Sequence, residues 1–111
     1  MNQMKSHVFI SYSHKDLVFA DRLAPVIEAA GYEVLLDRHD LHYGAKWKDE
    51  LSDFVRQAEI IVFVVSPNSV SSQYCMSELD QARNLNKRII SIVLRQVPPE
   101  KLPEYIRESI G

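Results

Sequence analysis

Six consecutive apolar residues, Ile60 to Val65 (IIVFVV), constrain this chain more than any other stretch. The run is far too short to span a bilayer, it is rich in β-branched residues, and it has no polar face. Such a segment reads as a strand buried on both faces, as in a parallel sheet covered by helices. Ser66-Pro67-Asn68-Ser69 follows, a turn-forming cluster that ends the strand. Ser71 and Ser72 are cap candidates for a helix starting near Gln73. On that helix Cys75, Leu79 and Ala82 share one face, and Tyr74, Glu78 and Gln81 a neighbouring one. Glu78 has no basic residue three or four positions on, where Gln81 and Ala82 stand. A helical carboxylate of this kind near the end of a central strand is a candidate for work on a ligand. The competing reading is a solvated surface Glu.

The rest of the chain alternates around this strand. His7–Ser11 (HVFIS) reads as a first strand and Tyr12–Asp16 as a polar loop in which Ser13 or Asp16 can cap a helix. From Leu17 to Ala30 apolar residues recur at helical spacing, and Gly31 ends that helix. Glu33–Leu36 (EVLL) is a second strand, Asp37–Lys46 a long polar loop, and Trp47–Ala58 a second helix with Trp47, Leu51, Phe54, Val55 and Ala58 inward. Trp47 reads as a packing residue before a ligand contact. Arg88–Leu94 (RIISIVL) is a fourth strand, and Leu102–Ile110 forms a short helix after Pro103. The βαβαβαβ order implies an α/β fold: a flavodoxin-like, doubly wound parallel sheet of order 2-1-3-4 with helices on both faces. In that topology a fifth strand would form the edge. The sequence stops where it would come, which leaves strand four as an open edge and points to a fragment of a longer protein or a minimal version.

Composition narrows the functional classes. With 111 residues the chain is expected to form a single domain over residues 1–111, and 46% hydrophobic with 25% charged residues is ordinary for a globular protein. A net charge of −2 gives no basic footprint for nucleic acid or for direct contact with an anionic membrane. A single Cys allows no internal disulfide and fits a reducing, cytoplasmic setting.

Topology then locates the chemistry. Strands one and three are neighbours that the chain leaves in opposite directions, and ligands of open α/β sheets bind at such switch points. Two loops, Ser11–Asp16 and Ser66–Tyr74, flank the crevice, with Glu78 just inside the following helix and Asp37 and Arg38 next along the rim. Asp37 reads equally as a rim residue or as the terminator of its strand. A phospho-receiver would need acidic residues where Ser11-Tyr12-Ser13 and Ser66 stand. A dinucleotide or flavin site would need a Gly-rich first loop, and no Gly lies between Met1 and Ala30. Cys75 faces inward, with no His placed beside it by spacing, and reads as a structural thiol. Asp37, His39, Asp40 and His42 match no standard metal spacing, so no metal site is expected. What remains is one carboxylate among hydroxyls and aromatics. That set suits cleavage of an N-glycosidic bond with a cationic leaving group, where a carboxylate stabilises an oxocarbenium-like transition state.

VFISYSHKD (Val8–Asp16), EVLLDRHDLHYG (Glu33–Gly44) with Trp47, IIVFVVSPNSVSSQYCMSEL (Ile60–Leu79) and RIISIVL (Arg88–Leu94) together resemble the Toll/interleukin-1 receptor (TIR) domain. The likeness covers nearly the whole chain and is greatest to prokaryotic members, which often serve anti-phage defence. It implies a five-stranded parallel sheet and, in many members, hydrolysis or cyclisation of NAD+. In Tyr74-Cys75-Met76-Ser77-Glu78 it places Glu78 in the catalytic role, with Tyr74 where a Trp is frequent. It implies that Ser11, Tyr12 and Ser13 line the nicotinamide-ribose site, with Asp37, Arg38, Ser66 and Tyr74 as further substrate contacts. The loop Asp37–Lys46, including Asp40 and Gly44, resembles the "BB loop" that gates the site and contacts a neighbouring TIR domain. The partners so implied are NAD+, as substrate with no further cofactor, and other TIR domains. Two functions follow: an NAD+ glycohydrolase switched on by assembly, or a non-catalytic adaptor acting through TIR–TIR contacts.

Overall fold

The apolar run is β3 (Ile60–Val65), hydrogen-bonded to β1 (His7–Ser11) on one side and β4 (Arg88–Val93) on the other. The computed structural model describes residues 5–36 and 53–110. With β2 (Glu33–Leu35) these strands make one four-stranded sheet of order β2-β1-β3-β4, every pair parallel. Parallel neighbours need crossovers, which α1 (Leu17–Ala29), α2 (residues 53–57), and α3 (Pro67–Val70) with α4 (Gln73–Asn84) supply. α5 (Glu104–Ile110) follows a 3-10 turn at Pro99–Lys101.

Strand side chains alternate between two layers. Val8, Ile10, Val62 and Val64 pack with Ala20 and Ala24 of α1. Phe9 and Ile61 pack with Val55, Ala58 and Ala82, while Phe63 and Val65 pack with Cys75, Leu79 and Ile106. Both faces of β3 are thus covered, which is why its sequence shows no polar alternation. β4 lies at the sheet edge and is only partly covered, with Ile90 39% and Val93 43% exposed.

Local signals explain the helix boundaries. Gly31 takes φ +100 beyond α1, the left-handed conformation expected of a residue closing a helix. Pro25 lies inside α1 and is solvent-exposed; the helix continues through it. Ser72 caps α4, its hydroxyl accepting the Cys75 amide at 3.3 Å. The Ser66–Ser69 cluster departs from the expected turn. It forms the one-turn helix α3, in which Ser66 and Ser69 make reciprocal capping bonds. The expected loop Asp37–Lys46 and the start of the helix expected at Trp47 lie outside the described residues. No described helix is long and apolar enough to cross a membrane.

Candidate functional site

β1 ends at Ser11, opposite Phe63, while β3 continues to Val65. The chain leaves β1 toward α1 and β3 toward α3, so these neighbouring strand ends form the switch point of the sheet, the place where ligands of open α/β sheets bind. Ser11 is on the Phe9 side of the sheet, the side on which α4 packs. There its hydroxyl donates to Glu78 Oε1 at 2.7 Å, a buried bond between residues 67 apart in sequence. Glu78 is 5% exposed and Ser11 0%. Helical spacing puts Glu78 beside Leu79 and Ala82, near the core. This corrects the alternative of a solvated surface Glu.

Cys75 lies one turn earlier and is 1% exposed. Burial, and then the nearby Glu78 carboxylate, push its thiol up to about 12, against weaker opposing bonds from Ser72 and Ser11. A thiol so protonated is a poor nucleophile, consistent with a structural role. Tyr74, at the start of α4, is 36% exposed, leaving an aromatic ring accessible one turn before Glu78.

The two flanking loops are tied together by Asp16. The residue stands at the N-cap of α1, yet its side chain makes no capping bond. Its Oδ2 accepts the Ser66 hydroxyl at 2.5 Å and its Oδ1 accepts the Asn68 amide at 3.1 Å. The Ser66 hydroxyl also accepts the Ser69 amide at 3.1 Å, and its one proton is committed to Asp16. Ser13 accepts the Lys15 amide at 3.3 Å and caps the 3-10 turn His14–Asp16.

The residues expected at the site therefore fall into three groups. Glu78, Ser11 and Tyr74 come together, with Ser13 and Ser66 in the two flanking segments. Tyr12 is 6% exposed within the α1-side core cluster, its ring 5.6 Å from that of His14. Ser11, Tyr12 and Ser66 are all buried, as is Glu78. Asp37, Arg38, Asp40 and Gly44 lie outside the described residues. The Asp16 clamp escapes sequence reasoning because its partners are 50 and 52 residues away, and nothing local marks them. Among the described residues no three His, Cys, Asp or Glu side chains gather as a metal site. A cavity of 270 Å³ is lined mainly by apolar residues including Val65, Val93, Val97 and Leu102, and Glu78 is not part of its lining.

Residues 8–110 match the TIR domain family. The chain belongs to that family. It is 28% identical over 106 residues to human Toll-like receptor 6, covering 90% of this chain but 13% of the receptor. It is 29% identical over 90 residues to the probable 2′ cyclic ADP-D-ribose synthase BdTIR of Brachypodium distachyon, covering 80% of this chain and 38% of the relative. The crystal structure of the TIR domain of the Toll-related receptor TRR-2 from Hydra magnipapillata superimposes with a TM-score of 0.72 at 22% identity, covering 89% of this chain and 76% of that one. That likeness supports the sheet order of this TIR domain.

Proposed function

We propose that this TIR domain cleaves the nicotinamide–ribose bond of NAD+ when it self-assembles, with Glu78 as the catalytic carboxylate. The observation that carries the reading is the Ser11–Glu78 bond of 2.7 Å, which fixes a buried carboxylate at the switch point of the sheet. The resemblance to a probable 2′ cyclic ADP-D-ribose synthase points the same way.

The proposed step needs little general acid. The nicotinamide nitrogen is already cationic, so it leaves as a neutral base, taking the bonding pair. Positive charge then develops on the ribosyl C1′ and ring oxygen. An ionised Glu78, held in place before the reaction, stabilises that charge without reorganising. The accessible Tyr74 ring offers a face for an aromatic ring of the substrate. Attack by water on C1′ gives ADP-ribose and releases a proton; attack by an internal hydroxyl gives a cyclic product. No cofactor besides the substrate is required. In this proposal the domain works in the cytoplasm, contacts neither nucleic acid nor membrane, and serves prokaryotic defence.

The alternative is a signalling module that acts only through TIR–TIR contact, favoured by the similarity to Toll-like receptors. Nicotinamide release from NAD+ at high protein concentration separates the two. Release that scales with protein supports the enzyme, and silence in a densely assembled sample supports the module.

A further inference from the structure

We propose that Asp16 is a positioning residue for the Glu78 site, acting as a clamp that pins the segment after β3 to the segment after β1. The inference rests on the NAD+-cleaving reading for its kinetic arm, and on geometry alone for the rest. Asp16 is 7% exposed. Each of its oxygens is engaged across the crevice, Oδ2 by Ser66 and Oδ1 by Asn68. It holds the N-cap place of α1, where a carboxylate ordinarily bonds the helix's own amides. Here it makes no such bond, and its acceptors go to Ser66 and α3 instead.

The consequence runs along the chain. Ser66 begins α3, and α3 leads through Ser71 to Ser72, which caps α4 at the Cys75 amide. The first turn of α4 carries Tyr74 and Cys75, and the next carries Glu78. Ser11 therefore fixes the carboxylate from β1, while Asp16 fixes the start of its helix from the other side of the crevice. Misplacement of a catalytic group by about 1 Å costs on the order of a hundredfold in rate, so a clamp at this point governs turnover without touching substrate.

The test uses Asp16→Asn and the exchange variant that combines Asp16→Asn with Asn68→Asp. In the single variant two amides face each other where an amide met a carboxylate. In the exchange variant the two groups trade places: the carboxylate now at position 68 accepts from the amide now at position 16. The carbonyl of that same position-16 amide still accepts from Ser66. Three readouts are taken: kcat and KM for NAD+, the melting transition, and the rate at which an aromatic disulfide reagent labels Cys75. Cys75 is buried and the only cysteine, so its labelling reports opening of α4.

Asp16→Asn should lower kcat about tenfold with KM changed less than about threefold, and speed Cys75 labelling about tenfold, with melting still cooperative. The exchange variant should restore both rates to within about threefold of wild type. Wild-type labelling and kcat in Asp16→Asn would overturn the clamp, as would an exchange variant that recovers neither. Loss of cooperative melting in Asp16→Asn would also overturn it, by making Asp16 a general folding residue. If the wild type releases no nicotinamide, the NAD+ reading fails alone, and the labelling rates still decide the clamp.

Discussion

Replacing Ser11 with Ala removes one oxygen atom from the centre of the proposed site. The hydroxyl is 2.7 Å from Glu78 Oε1, with Ser11 0% and Glu78 5% exposed, so water cannot readily take its place. A hydrogen bond to a charged group contributes about 1.5–3 kcal/mol, and a buried acceptor left without its donor costs as much. Ser11→Ala should therefore lower the unfolding free energy by about 1.5–3 kcal/mol. If a carboxylate freed from Ser11 loses half of that in the transition state, kcat falls by roughly four- to thirteen-fold, since 1.36 kcal/mol is tenfold in rate. The source of the loss can be isolated by repeating the change in a Glu78→Gln background. A neutral Gln still accepts from Ser11, but such a bond contributes about 0.5–1.5 kcal/mol, so the cost of Ser11→Ala should shrink by about 1 kcal/mol. The assay is urea unfolding of the wild type, both single variants and the double variant, with unchanged m values as the check on compactness. An equal cost for Ser11→Ala in both backgrounds would show that Ser11 does not act through the Glu78 charge, and the account of the site would be wrong.

Two further outcomes are expected. If the competent state forms only in an assembly, specific activity should rise with protein concentration; a rate per molecule that stays flat across a wide dilution series refutes this. Cys75 gives a pH signature. Its folded value of about 12 lies above the ordinary 9.0, so the folded protein holds the proton more tightly. That contribution is complete below the unfolded value and is lost as pH rises from about 9 toward 12, at up to about 1.4 kcal/mol per pH unit. Alkaline unfolding of Cys75→Ala should lack this component, and equal alkaline slopes in the two proteins would contradict the burial of the thiol.

The fold is legible in the sequence because its signals are local. The unbroken apolar run at Ile60–Val65 suits a two-sided strand, and the alternation of strands and helices then implies the parallel order β2-β1-β3-β4. Ser72 and Gly31 mark helix ends through capping chemistry that depends on nearest neighbours. Glu78 is legible in position but not in environment, because helical phase places it beside the core face without revealing Ser11, 67 residues away. Ser66–Ser69 looks like a turn because each of its residues favours one. Its reciprocal caps make it helical, and its buried environment depends on Asp16. Tyr12 resembles a ligand residue by its loop position, yet period-2 alternation continues one step past β1 and carries it onto the Val8–Ile10 side.

The central claim is that the Glu78 charge faces a ribosyl cation, and Glu78→Gln tests it most directly. The two side chains are nearly isosteric, and Gln retains an acceptor for the Ser11 hydroxyl, so the variant should melt cooperatively. Nicotinamide release from NAD+ by assembled wild type and variant, at matched concentrations and saturating substrate, should differ by on the order of a hundredfold or more. A normally folded Glu78→Gln protein that releases nicotinamide at near the wild-type rate would contradict the account.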